Sequence, residues 1–355
     1  MPDLLVISID AMGGDHGPTV VVPGVARALK AMPGGAVQFL LHGDPAMLNP
    51  VLARFPDVAK VSEVRPATGV ISSEAKPAHA MRRGKDTSMW NAVESVRSGE
   101  STAAVSAGNT GALMAISRLL LRMAGDMDRP ALVANWPTLR GVTSVLDVGA
   151  NVVCDAERLV EFAVMGVAYH RAVHKTDRPS VGLLNVGTET EKGHDDVRGA
   201  DRLLRESPLD FDYRGFVEGD DIAKGTVDVV ITDGFTGNVA LKTAEGLARF
   251  FSAQLRMTFT DSMQAKLGAL IARPALKAMA ERLDTGSVNG GPFLGLNGTV
   301  VKSHGSADAR GFANAILLAA NLARSDIAAE IDRNLQRKPA PVPNLEGPNR
   351  ESIEA

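Results

Sequence analysis

Short apolar runs, each closing in a glycine-bearing polar loop and then a helix-like stretch, recur along this chain. That alternation constrains the fold more than any other feature. Leu4 to Ile9 is apolar and rich in β-branched residues, so it reads as a buried strand. Asp10 stands where it ends. Gly13, Gly14 and Gly17 permit tight turns and a close approach of backbone to a ligand, and Pro18 opens a helix carrying Val20 to Leu29. Strands follow at Val37 to Leu41, Val58 to Val64, Ala103 to Val105, Ala131 to Ala134, Val142 to Leu146, Ser180 to Leu184, Val227 to Ile231 and Val300 to Val301. Long helices are expected over Asp155 to Val173 and beyond Asn238. Strands alternating with helices predict an α/β, Rossmann-like, largely parallel sheet with helices on both faces. The pattern predicts one α/β domain over 1–330, with a helical hairpin inserted at about 241–283 and a tail over 338–355 that is disordered by composition.

In such sheets ligands bind outside the carboxyl ends of the strands. Six of those ends carry glycine with small polar or charged side chains: Asp10 to Gly17, Ser106 to Gly111, Asp147 to Asn151, Asn185 to Gly193, Thr232 to Asn238 and Lys302 to Gly305. A purely structural sheet needs no such set, so the six are expected to share one site. The residue types suit an anion. Backbone N–H groups in the glycine loops can cradle phosphate oxygens. Lys192, Lys242, Lys302 and His304 can neutralise charge. Asn109, Asn151, Asn185 and Asn238 can orient a carbonyl or donate to an oxyanion. Lys192 is favoured because it lies in a glycine-bounded loop with Glu189 and Glu191. His16 is either an acid/base or a turn residue.

Several function classes are excluded. No two glycines are separated by a single residue, which removes the dinucleotide fingerprint, and Gly84-Lys85 is followed by Asp86, which removes a P-loop. No serine sits in a nucleophile elbow. The net charge of -3 argues against nucleic acid. A single cysteine, Cys154, fits a reducing cytoplasm and reads as a small buried hydrophobe, and no signal-like or membrane-spanning run is present. His170 and His174, four apart on a helix, lack a third metal ligand and read as a solvated or dimer-facing stripe.

Taken together, these loops resemble the bacterial phosphate acyltransferase family of phospholipid synthesis. The strings are Asp10-Ala-Met-Gly-Gly-Asp-His-Gly17, Ser106-Ala-Gly-Asn-Thr-Gly-Ala-Leu113, Asp147-Val-Gly-Ala-Asn151, Leu184-Asn-Val-Gly-Thr-Glu189 with Lys192-Gly193, Thr232-Asp-Gly-Phe-Thr-Gly-Asn-Val239, Gly291-Pro-Phe-Leu-Gly-Leu296 and Lys302-Ser-His-Gly-Ser306. They run in order from about residue 4 to 325; His194 and the stretch Val152 to Asp155 depart from the family pattern. The resemblance implies a fold like that of phosphotransacetylases and isopropylmalate dehydrogenases. It implies transfer of a long acyl chain from acyl carrier protein to inorganic phosphate, without metal or redox cofactor, by a homodimer whose acyl phosphate goes to a membrane acyltransferase. Phosphate acetyl- or butyryltransfer from coenzyme A is the nearest rival. On this reading Lys192, Asn238, His16 and Asp10 are the catalytic candidates. Gly13, Gly14, Asn109, Thr110, Gly111, Asn151, Asn185, Glu189, Asp233, Lys242, Lys302 and His304 are the substrate-binding candidates.

The implied product is poorly soluble and destined for a membrane enzyme, so a cytoplasmic protein peripherally bound to the inner face of the cell membrane is expected. Leu267, Leu270 and Ile271, flanked by Arg273 and Lys277, fit such an anchor at a turn between two helices, where Gly268 and Pro274 break regularity. The same residues could instead dock the acidic carrier protein. Apolar positions in Leu247 to Phe259 point to packing across a dimer axis.

Overall fold

The computed structural model describes residues 4–32, 36–125, 127–283, 289–325 and 327–335. The 338–355 tail lies outside the described residues. Eleven strands form one sheet. In chain order they are β1 Leu5–Asp10, β2 Val37–Gly43, β3 Ser62–Pro66, β4 Ala103–Ser106, β5 Ala131–Thr138, β6 Gly141–Leu146, β7 Ser180–Leu184, β8 Asp212–Val217, β9 Val229–Ile231, β10 Gly291–Leu294 and β11 Thr299–Lys302. The helices are α1 Pro18–Ala31, α2 Pro45–Leu52, α3 Pro56–Lys60, α4 Pro77–Arg83, α5 Ser88–Arg97, α6 Thr110–Leu121 and α7 Ala156–His174. They continue as α8 Asp195–Arg205, α9 Gly219–Lys224, α10 Gly234–Thr260, α11 Met263–Leu283, α12 Ala309–Ala323 and α13 Ile327–Leu335.

The sheet order is β3-β2-β1-β4-β11-β10-β5-β6-β9-β7-β8. Side-chain alternation along the strands explains two covered faces. Val105, Val133, Leu146, Ile231 and Val301 pack into one apolar core, with α1, α7 and α12. Their neighbours Ala104, Leu132, Val145, Val230 and Val300 pack into a second core on the opposite face, with α5 and α6.

The topology departs from the sequence reading at its centre. β10 pairs antiparallel with both β11 and β5, and β5 pairs antiparallel with β6. Three reversals therefore separate β11 from β6. The set β3, β2, β1, β4 and β11 runs one way, and β6, β9, β7 and β8 run the other. The six glycine-bearing strand ends consequently do not lie in one row: three open on one margin of the sheet and three on the opposite margin. β10 reads Gly-Pro-Phe-Leu, too short and too rich in turn formers to register as a strand in sequence.

Val58 to Val64 is not one strand. Pro56 pre-sets the helical φ at the start of α3, and β3 begins only at Ser62. The hairpin is present, but its turn is at Asp261–Ser262 rather than within 266–277. Ser262 makes that turn: its carbonyl accepts from Lys266 N at 3.0 Å and its hydroxyl from Ala265 N at 3.1 Å. Gly268 and Pro274 both lie inside α11, which runs through them. Thr232 to Asn238 is likewise only half a loop, because Asp233 caps α10 by accepting from Thr236 N at 2.9 Å, so Gly234 to Asn238 form its first turn.

Candidate active site

The first margin gathers the ends of β1, β4 and β11, three parallel neighbours. Asp10 is buried there. Its carboxylate accepts from Gly13 N at 3.1 Å, Met12 N at 3.3 Å and the Ser106 hydroxyl at 2.6 Å. One buried side chain thus ties the β1 loop to β4, and burial raises its pKa against the opposing effect of these donors. The loops touch closely: a Cβ on Gly13 would stand 2.5 Å from Asp10 Oδ2 and 2.8 Å from Gly108 N, so only glycine fits. Asp15 N donates to Gly305 O at 2.9 Å and joins the β1 loop to the β11 loop. Asn289 secures the β11 loop, accepting from His304 N at 3.1 Å and donating to the Ser303 hydroxyl at 2.9 Å.

Two lysines and a histidine meet at this margin. Lys302 comes from the last residue of β11, and its ammonium donates to Ala107 O at 3.4 Å and to Ser303 O. Burial pulls its pKa down to about 8; Lys242 lowers it further, while Asp10 and Asp15 oppose the shift. His304 is also held below its usual value by burial, then by Lys242 and Lys302, with Glu245 and Asp15 opposing. Lys242 pairs with Glu245 at 2.9 Å. His16 is exposed in the β1 loop and, with Gly13, Gly14 and Gly305, lines a small cavity.

The second margin gathers the ends of β6, β9 and β7. Asp147, fully buried, accepts from Leu132 N at 3.0 Å, Ala150 N at 3.1 Å, Asn151 N at 2.5 Å and Asn151 Nδ2 at 2.9 Å. Asn185 shapes the β7 loop, accepting from Val186 N and donating to Lys192 O. Lys192 pairs with Glu189 at 3.5 Å, both largely exposed. Hydrogen bonding to its own backbone N–H, then Lys192, holds the Glu189 carboxyl below its usual range. Asn238 is exposed in the first turn of α10, beside Gly149.

Helix α10 spans the two margins. It starts at Gly234, against Asn151, and Lys242 lies two turns on, about 12 Å along the axis at 1.5 Å per residue. Asn238 and Lys242 are four apart and share one helix face.

Two asparagines leave the list of substrate donors. Asn109 caps α6 through Ala112 N, and its amide donates to Ser73 O and Ala75 O. Asn151 is buried, with its amide donating to Pro130 O and Asp147. Both amides are spent on the fold. Thr110 and Gly111 begin α6 beside Asn109. Asp233 is committed to its cap.

Asp15, Glu245, Ser106 and Asn289 make contacts at the first margin without having been among the site candidates named from the sequence. Glu245 was detectable from its i, i+3 spacing to Lys242; Asn289, fourteen residues from Ser303, left no local signal. Cys154 is buried, its thiol pushed up to about 12 by burial and then by Asp147 and Asp233, and so is inert. His170 is neither solvated nor on a surface stripe: it is buried, hydrogen-bonded to Ser144 at 3.0 Å, with its ring tilted against that of His174 at 4.5 Å. Among the described residues no group of three or more His, Cys, Asp or Glu is placed to hold a metal.

The sequence profile of the fatty acid synthesis protein family matches residues 5–330. A phosphate acyltransferase from Caulobacter vibrioides is 67% identical over 337 residues, covering 95% of this chain and 93% of that protein. One from Phenylobacterium zucineum is 60% identical, covering 96% of each chain. A phosphotransacetylase from Streptococcus pyogenes superposes with a TM-score of 0.62 over 91% of this chain and 95% of its own, at 16% identity, which shows the shared fold. On the profile and these full-length relatives, the chain belongs to the fatty acid synthesis protein family of phosphate acyltransferases.

Proposed function

We propose that this protein transfers a long-chain acyl group from acyl carrier protein to inorganic phosphate, giving an acyl phosphate for glycerol 3-phosphate acylation. The observation that carries the chemistry is the meeting of Lys242, Lys302 and His304 over the glycine loops of β1, β4 and β11, an anion site built from buried anchors. The relatives' acyltransfer to phosphate supplies the reaction class. We read residues 1–330 as one catalytic domain, which the continuous sheet supports.

A thioester is already activated, and phosphate dianion is a competent nucleophile, so no protein nucleophile is required. Phosphate held by Lys242, Lys302, the His304 imidazole and the loop N–H groups attacks the thioester carbon. The carbonyl oxygen gathers negative charge, and the carbon–sulfur bond then breaks to release the carrier's thiolate. Asn238, one turn from Lys242, is the donor for that oxyanion, and Lys192 supplies positive charge at the same margin as Asn238. His16 is the candidate to protonate the leaving sulfur. Asp10 acts by holding the Gly13 loop, rather than by touching substrate.

We further propose a homodimer that touches the membrane surface with its helical hairpin and delivers the product to a membrane acyltransferase. No helix among the described residues is long and apolar enough to cross a membrane. The test is mass-spectrometric detection of acyl phosphate from purified protein, phosphate and a palmitoyl carrier-protein thioester, beside palmitoyl- and acetyl-coenzyme A. Acyl phosphate from the carrier thioester is the expected result. Turnover of acetyl-coenzyme A alone would replace this reading with the short-chain transferase.

A further inference from the structure

The loop after β6 is built around a carboxylate for which the reaction above has no use. Asp147 takes four N–H donors, two on each oxygen: Leu132 N and Ala150 N on Oδ1, Asn151 N and Asn151 Nδ2 on Oδ2. The loop so formed grips the start of α10. Gly234 N donates to Asn151 O at 2.7 Å. A Cβ on Gly234 would stand 2.6 Å from Asn151 O and 2.8 Å from Asp147 Oδ2; one on Gly237 would stand 2.0 Å from Asp147 O. Gly234 and Gly237, three apart, share one face of that first turn, and that face is seated directly on the loop. The next residue is Asn238, whose Cβ and Cγ would be 3.6 Å from a Cβ on Gly149.

We propose that Asp147 is a positioning residue for acyl transfer, holding the Val148–Asn151 loop as the seat that fixes Asn238 against the reacting carbonyl. The inference rests on the reading of Asn238 as the oxyanion donor. Asn151 is the intermediary: its backbone and amide both bind Asp147 Oδ2, its amide also holds Pro130 O, and its carbonyl oxygen holds Gly234. Burial raises the Asp147 pKa and the four N–H donors oppose that shift, and no cation is among its hydrogen-bond partners. A donor displaced by a fraction of an ångström loses much of its effect on a transition state while substrate binding persists.

The experiment is a double-mutant cycle on the full-length protein, reading kcat, KM for phosphate and Tm. Asn238→Ala is expected to lower kcat about 100-fold. Asn151→Ala, which strips one donor from Asp147 and leaves the backbone contacts, is expected to lower kcat about 10-fold with KM for phosphate unchanged. The combined variant should fall no more than about 2-fold below Asn238→Ala, because the seat has nothing left to position. Asp147→Asn, which turns one acceptor oxygen into an amide facing two N–H groups, should behave as Asn151→Ala with a larger loss. If it does not fold, the Asn151→Ala cycle decides alone. Additive losses of about 1,000-fold in the combined variant would overturn the proposal and leave Asp147 a purely structural group. A normal kcat in Asn151→Ala would overturn it too. Near-normal turnover in Asn238→Ala would remove Asn238 from the site and the inference with it, an outcome visible in that single variant.

Discussion

Lys302 carries opposing demands. Its ammonium is buried against the glycine loops, donating to two carbonyls, and burial there disfavours the charged form. A lysine whose folded pKa falls to about 8 is charged below that pH and loses its proton as pH rises through it. Phosphate binding should follow: KM for phosphate is expected to rise as pH passes about 8, and Lys302→Arg, which stays charged, should flatten that rise. Stability runs the other way. The unfolded lysine keeps its proton up to its ordinary range, so between about 8 and that range the unfolded state binds more protons and this group's contribution to stability grows with pH. A KM for phosphate that stays level from pH 7 to 9 would remove Lys302 from the anion site. Lys302, His304 and Lys242 were visible as cations in or beside polar loops, and the structure brings them together. Asn109 and Asn151 carried the same sequence signal, yet both are consumed by carbonyls far along the chain, at Ser73, Ala75 and Pro130. Which asparagine keeps a free amide depends on contacts that no local pattern encodes.

Among the elements, the α10–α11 hairpin is the least supported by the rest of the fold. Beyond Gly246, α10 is exposed on nearly all sides. On α11, Met263, Leu267, Leu270 and Ile271 fall at i, i+4, i+7 and i+8, which makes one stripe, and Ile271 is 76% exposed. The composition of this stripe was legible; its position within a helix was not, because Gly268 and Pro274 read as breakers. Proline removes one N–H and costs a helix locally, but α11 packs along α10, and tertiary support outweighs a single poor residue. An exposed apolar stripe flanked by Lys266, Arg273 and Lys277 is suited to lie in a lipid interface, with each cation near anionic headgroups worth about 1 kcal/mol. Leu270→Asp with Ile271→Asp is therefore expected to abolish co-sedimentation with anionic phosphatidylglycerol vesicles while acyl transfer in solution persists. Unchanged vesicle binding would rule out the stripe as the anchor; lost transfer with vesicle binding intact would reassign it to the carrier protein.

At the scale of the whole molecule, the reversal at β10 and β5 was the feature hidden from the sequence. Alternating strands and helices announce a parallel sheet, and pairing direction between strands distant in the chain has no local signature. Once the reversal is known, α10 is seen to carry the candidates Asn238 and Lys242 toward opposite margins, and the hairpin begins in that helix. That gives the apolar base of the hairpin a consequence. Leu247, Phe250 and Phe251 are each more than half exposed, and the two phenyl rings meet edge to face 5.9 Å apart. Side chains of this size bury well only against another apolar surface, and neither sheet face reaches them. A second copy offers the simplest cover: two hairpins related by a two-fold axis would pack as four helices, each burying the other's base. Sedimentation at micromolar concentration should show a dimer, and Phe250→Asp with Phe251→Asp should shift it to monomer. Because folding and association would be linked, the Tm of the unmodified protein should rise with concentration and that of the variant should not. A monomer at micromolar concentration before any substitution would refute the dimer and leave the base, like the tip, to be covered by lipid or carrier protein.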